Sequence, residues 1–190
     1  MNWRHLCAPV VDPVAVIESG RRALELLPAD AGSVRAVAAL RVAYGYLGLA
    51  EAETAWAAFD AAEQIALESG NAYAVVSCAF DRARIALLQG DLSRAQAAVA
   101  AGRERLEHEL REIAATLPAV AALNVIEGCA ALEQGDADNA ERLLDAGLRI
   151  IGGTQQFALT GYPALARARA ARGDVAGAEA ALRRLPQVWP

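Results

Sequence analysis

The chain has 190 residues, enough for one domain with a sizeable buried surface, and 55% of them are apolar, alanine the commonest, against 5% aromatic. That balance suits thin helix-on-helix packing better than a bulky core. A net charge of −5 argues against nucleic-acid binding by this chain alone, because phosphate neutralisation needs a basic surface.

Residues 1–11 are expected to be irregular. Asp12-Pro13 reads as an N-cap followed by proline at the first helical position, opening a helix to about Leu27. Residues 12–190 then form a single helical-repeat domain. It holds a half repeat over 12–28 and helix pairs at about 34–70, 72–110, 118–152 and 155–186. The expected helices run Val34–Leu47 and Glu51–Ser69, Ala72–Gln89 and Leu92–Glu107, Pro118–Gln134 and Ala137–Ile151, Gln155–Arg172 and Val175–Leu185. Pro163 should kink the helix that contains it or move its start later. "RERLEHELRE" is charged and expected to be exposed.

The pairs share one register. With the Gly135-Asp136 turn as origin, Gly90-Asp91 and Gly173-Asp174 stand at the same place, and Ala50-Glu51 is a degenerate copy. The spacings of 40, 45 and 38 residues fall in the range of helical-pair solenoids. Seven residues before each origin the side chain is small: Ala43, Ala83, Gly128 and Ala166. Five after, it is alanine at 55, 95, 140 and 178; nine after, it is a larger apolar residue, Phe59, Val99, Leu144 or Leu182. Small residues on both sides of the turn let paired helices approach, and the larger one fills the groove beside them. Ile17, Gly20 and Leu24 repeat the spacing of Val99, Gly102 and Leu106, so the first helix reads as the second member of a pair.

This pattern resembles the tetratricopeptide repeat. "LPAVAALNVIEGCAALEQGDADNAERLLDAGLRI", followed by "ALARARAARGDVAGAEAAL", resembles the helical-repeat domain of MalT-like, LuxR-type transcription regulators. "RALELLPADAGSVRAVAALRVAYGYLGLAEAETAWAAFDAAEQIALESGN" is similar to the preceding part of that domain, so the likeness spans about Arg21 to Leu185. It implies an all-α, right-handed superhelical solenoid of antiparallel helix pairs. It also implies that the first helix of each pair lines a concave face. Projected onto this chain, that face carries a candidate ligand or partner groove of Arg41, Tyr44, Ser77, Asp81, Arg84, Asn124 and Arg167. Val37, Leu40, Leu47, Phe80, Val125, Cys129 and Thr160 lie beside them. Aromatic and arginine side chains in a concave wall can anchor a peptide or stack on a small molecule. Phe80 and Val125 could equally be core between repeats, and the arginines simply solvated.

Other chemistry finds weaker footing. Glu104, His108 and Glu112 are spaced to share a helix face, but zinc-protease chemistry needs two histidines in H-E-x-x-H, so a salt-bridged exposed face is the better reading. Cys78 and Cys129 have no histidine nearby, His5 and Cys7 sit in the irregular terminus, and no phosphate loop or nucleophile elbow occurs. Paired acids such as Asp136 and Asp138 stand at helix starts, where they favour the helix dipole. No catalytic residue, metal or cofactor is therefore expected. Three cysteines make no disulfide framework and point to a reducing cytoplasm. The N-terminus lacks a secretory core, and no apolar run reaches the roughly 20 residues that span a bilayer, so no membrane role is expected.

Two functions compete. The resemblance implies the sensor segment of a regulator, in which an ATPase domain precedes the repeats and a helix-turn-helix domain follows, with a small molecule or an inhibitory protein as the signal. The alternative is a stand-alone adaptor that holds a peptide or protein in its groove. The half repeat and the apolar last helix lack polar capping helices, so at least one end is expected to be covered by another chain, another domain or an irregular tail, self-association included.

Overall fold

Turn chemistry sets the helix boundaries. A computed structural model describes residues 12–151 and 155–185. Gly90, Gly135 and Gly173 each end a helix at positive φ, 76°, 82° and 82°, a conformation that costs glycine no Cβ clash. The aspartate that follows caps the next helix. Asp91 accepts from the Arg94 amide at 2.9 Å, Asp136 from the Asn139 amide at 3.1 Å, and Asp174 from the Gly177 amide at 2.8 Å. Gly70-Asn71 does the same, with Asn71 accepting from the Ala74 amide at 3.0 Å.

These signals produce α1 (Pro13–Leu26), α2 (Gly32–Leu49), α3 (Ala52–Glu68), α4 (Ala72–Leu88) and α5 (Leu92–Glu109). A short α6 (Arg111–Ala114) and a 3-10 turn (Pro118–Ala121) lead into α7 (Ala122–Glu133), α8 (Ala137–Ile151), α9 (Gln155–Ala171) and α10 (Val175–Leu182). Among the described residues there is no strand. The pairs α2–α3, α4–α5, α7–α8 and α9–α10 stack in chain order, with α1 packed on α2. The fold is thus the all-α solenoid of helix pairs that the register implies.

Three details differ from expectation. α6 was not foreseen: the backbone leaves helical geometry at Leu110 (φ −131°), which buries the Leu110 side chain. The first helix of the third pair opens as a 3-10 turn at Pro118, whose missing N–H suits a first turn. α9 starts at Gln155 and continues through Pro163, so that proline does not delay the helix. The expected irregular N-terminus and the last apolar residues, Val188 and Trp189, lie outside the described residues.

The degenerate turn is strained where the register says it should be. Ala50 sits at φ 77°, and no side chain of Glu51 caps α3. An L-residue pays roughly 1 kcal/mol for that backbone. Ala50→Gly with Glu51→Asp should therefore raise stability by roughly 1 kcal/mol, read as a higher urea midpoint at constant m-value. An unchanged midpoint would show that the strain is absorbed elsewhere.

The core follows the small-large register. Ala43, Ala55, Ala83, Ala95 and Ala140 are all buried. A Cβ on Gly128 would meet Leu144 Cγ at 2.7 Å and the Ala140 carbonyl at 3.1 Å, so α7 and α8 touch where both sides are smallest. Charges bind the next layer. Buried Arg82 on α4 pairs with Glu63 on α3 at 2.6 Å and with the outer Asp60, and Arg105 on α5 reaches the same Glu63 oxygen at 2.7 Å.

A second, exposed pair reports on acid. The Arg94 guanidinium grips both Glu53 oxygens at 2.9 Å and lies 3.7 Å from the centre of the Trp56 ring. Hydrogen bonds from Arg94 and Gln89 hold the Glu53 carboxyl at about 2, below its ordinary 4.5. A lowered folded value means the contribution is present above 4.5 and is lost as pH falls toward 2. Glu53→Gln should flatten the acid limb of a melting-temperature profile in that window. A limb of unchanged slope would refute the assignment.

Candidate functional site

A polar cluster is built from three helices of different pairs. Tyr44 comes from α2, Asp81 and Arg84 from α4, and Gln156 from the first turn of α9. The Asp81 carboxylate is fully buried and paired with Arg84 at 2.7 Å on one oxygen. Its other oxygen accepts from the Gln156 amide at 2.7 Å, and the same amide nitrogen donates to the Tyr44 hydroxyl at 2.5 Å.

Aromatic rings floor the cluster. Tyr44 meets Phe59 edge-on at 5.4 Å between ring centres. Phe157, next to Gln156, is fully buried, 4.9 Å from Phe80 and 6.2 Å from Tyr73. Ser77 lies one turn before Asp81 on α4; its hydroxyl is buried and has no hydrogen-bond partner among the described residues, and the same holds for Arg84 Nε.

Electrostatics follow from enclosure. Burial pushes the Asp81 carboxyl above its ordinary value, opposed first by the Arg84 charge and then by the Tyr44 and Gln156 hydrogen bonds. Burial, with the neighbouring Asp81 charge, drives the Tyr44 hydroxyl well above 10.0, so it stays a protonated donor. Burial also raises the Cys78 and Cys129 thiols, which disfavours the nucleophilic thiolate. The cluster can hold a donor group against a buried carboxylate.

The seven candidate groove residues divide. Tyr44, Asp81 and Arg84 meet in one site, with Ser77 adjacent. Arg41 is exposed on α2. Asn124 turns to the other side of α7, where it accepts from Arg103 on α5 at 2.7 Å and borders a cleft of about 450 Å³ with Thr116, Pro118 and Ile150. Arg167 is 63% exposed near the end of α9 and pairs with Glu133 at 3.0 Å. Phe80 and Val125 are core, as their alternative reading had it. Glu104 and His108 are on α5, but Glu112 is on α6 beyond the break, so the three do not share one helix.

Sequence reasoning missed Gln156 and Phe157. One signal was available. Sixteen residues before each turn the repeats carry Val34, Ala74, Ala119 and Phe157, and only the last is aromatic.

This stack of helix pairs, with its repeated Gly-Asp turns, defines a helical-repeat module of tetratricopeptide type. The sequence matches the family described as the MalT-like TPR region over residues 5–189, and the chain belongs to that family. No curated protein matches it. A similar solved structure is that of BtubC (BKLC) from P. vanneervenii, with a TM-score of 0.58 at 20% identity. The match covers 92% of this chain and 70% of that one, and at this identity it speaks for the fold.

Proposed function

We propose that the chain is a non-catalytic binding module, the cytoplasmic sensor segment of a MalT-like, LuxR-type transcription regulator. The observation that carries this is the Tyr44–Asp81–Arg84 cluster, an ionic site around a buried carboxylate in a repeat protein of that family. The effector, a small molecule or a protein segment, engages Tyr44, Asp81 and Arg84 directly. Ser77 extends the site along α4, and Arg41 and Arg167 contact larger effectors from the rim. Binding transmits a signal by favouring one curvature of the solenoid over another, which requires differential affinity for the two states. The chain's acidity leaves DNA contact to another domain.

A thermal-shift panel of metabolites and peptides tests the reading. A hit should lose its stabilising effect in Tyr44→Phe and Arg84→Gln, variants that spare the Tyr44 ring packing. Hits that stabilise both variants as well as the parent would place the site elsewhere. The adaptor reading gains from Phe157, an aromatic side chain of α9 that packs on Phe80 of α4 beside the cluster. Flanking ATPase and helix-turn-helix sequence in the complete gene favours the regulator; its lack favours the adaptor.

Self-association belongs to either reading. Leu26 near one end and Val175 and Leu182 near the other are exposed, at 65%, 64% and 47%. Light scattering after size exclusion should show mass rising with concentration, and a constant monomer mass would exclude it.

A further inference from the structure

We infer that the start of α9 is a built-in occupant of the Tyr44–Asp81–Arg84 site, and that the ligand displacing it carries an uncharged or cationic hydrogen-bond donor beside an aromatic ring. The inference rests on that site being the binding site. It starts from a contact that repeat stacking does not require. Solenoid repeats touch their neighbours, yet Gln156 reaches Tyr44, 112 residues back and three pairs away, and Asp81, 75 residues back.

Phe157 supports the same point. The equivalent residues Ala74 and Ala119 are buried as alanine, so packing between pairs needs no ring at this register. Phe157 instead fills a slot beside Phe80 and Tyr73. Gln156 and Phe157 thus present a donor and a ring side by side, as a ligand would.

The cluster's charge selects the ligand's chemistry. Asp81 is a buried acceptor whose Oδ1 forms an ion pair with Arg84 but no hydrogen bond, while its Oδ2 takes the Gln156 amide, so the Oδ2 side favours a carboxamide, hydroxyl or ammonium. A carboxylate or phosphate there would face Asp81 without a proton between them. The unused Ser77 hydroxyl and Arg84 Nε offer polar capacity that Gln156 does not consume. Because the internal occupant holds the site, apparent affinity falls by the fraction of molecules whose α9 start has withdrawn. Removing the occupant should raise affinity.

The full chain and its Gln156→Ala/Phe157→Ala variant test this, with acetyl-Gln-Phe-amide as the probe and titration by ligand-observed NMR. The double variant should bind the probe at least ten-fold more tightly than the parent. Acetyl-Glu-Phe-amide and acetyl-Gln-Ala-amide should each bind it at least ten-fold more weakly than the probe does. A double variant with parental helicity that binds no probe, or binds all three alike, overturns the inference. If the double variant does not fold, Gln156→Glu serves instead, by setting a carboxylate against Asp81. It should speed amide exchange across residues 156–160, and unchanged exchange overturns the inference equally. A metabolite panel without hits on either the parent or the folded double variant sinks the sensor reading; a folded double variant that ignores the probe sinks the internal-occupant inference alone.

Discussion

Arg82→Ala should cost about 3–5 kcal/mol, because it leaves the Glu63 charge in the interior without its main partner. Glu63 is 1% exposed and the Arg82 side chain 6%, so neither group can turn to water without unpacking α3 from α4. Arg105 remains at 2.7 Å from Glu63 and is 31% exposed, which holds the loss within that range. Asp60 is 50% exposed, and Asp60→Ala should change stability by less than about 1 kcal/mol. Replacing both buried partners, Arg82→Met with Glu63→Leu, should recover most of the loss, since a well-packed apolar pair avoids the desolvation penalty. Urea unfolding of the four proteins checks the pattern. A loss below about 1 kcal/mol for Arg82→Ala would mean that water reaches Glu63.

The triad also marks the limit of what the sequence pattern reveals. Glu63 directly follows the buried Ala62 of α3, and a carboxylate there reads as solvated until Arg82 and Arg105 are brought to it from the next pair. The repeat itself was legible because its physics is local. A glycine that must be left-handed, an aspartate that must cap, and small residues at fixed distances from both are encoded within about twenty residues of one another. The same register exposed the weak turn at Ala50, where the strain is indeed found.

The site was legible by halves for the same reason. Tyr44, Ser77, Asp81 and Arg84 lie on first helices, and the repeat register alone assigns them there. Asn124 lies on such a helix too, yet the long α5 carries Arg103 within reach and turns it outward. Gln156 meets Asp81 from two pairs away, a contact that no single repeat spells out. The aromatic at 157 was the only local hint, and it becomes a hint only once the other three repeats are aligned to it.

Leu144→Ala and Leu182→Ala test the register as an energetic rule. Both residues stand nine positions after a Gly-Asp turn, and pattern alone treats them alike. Leu144 is fully buried against Gly128 and is flanked by a pair on either side. Leu182 is 47% exposed on α10, the last described helix. Leu144→Ala should therefore cost about 2–5 kcal/mol, toward the upper end if α7 and α8 cannot close the void. Closure is opposed by the Gly147 contact, where a Cβ would already stand 2.8 Å from the Ala121 carbonyl, so little further approach is available. Leu182→Ala should cost less than about 1 kcal/mol, because most of what it removes is already in water. Equal losses at the two sites would mean that Leu182 is covered in solution. Repeating the Leu182→Ala measurement across protein concentrations then separates its causes. A cost that grows with concentration places a second copy of the chain on α10, whereas a constant cost places the chain's own last residues there.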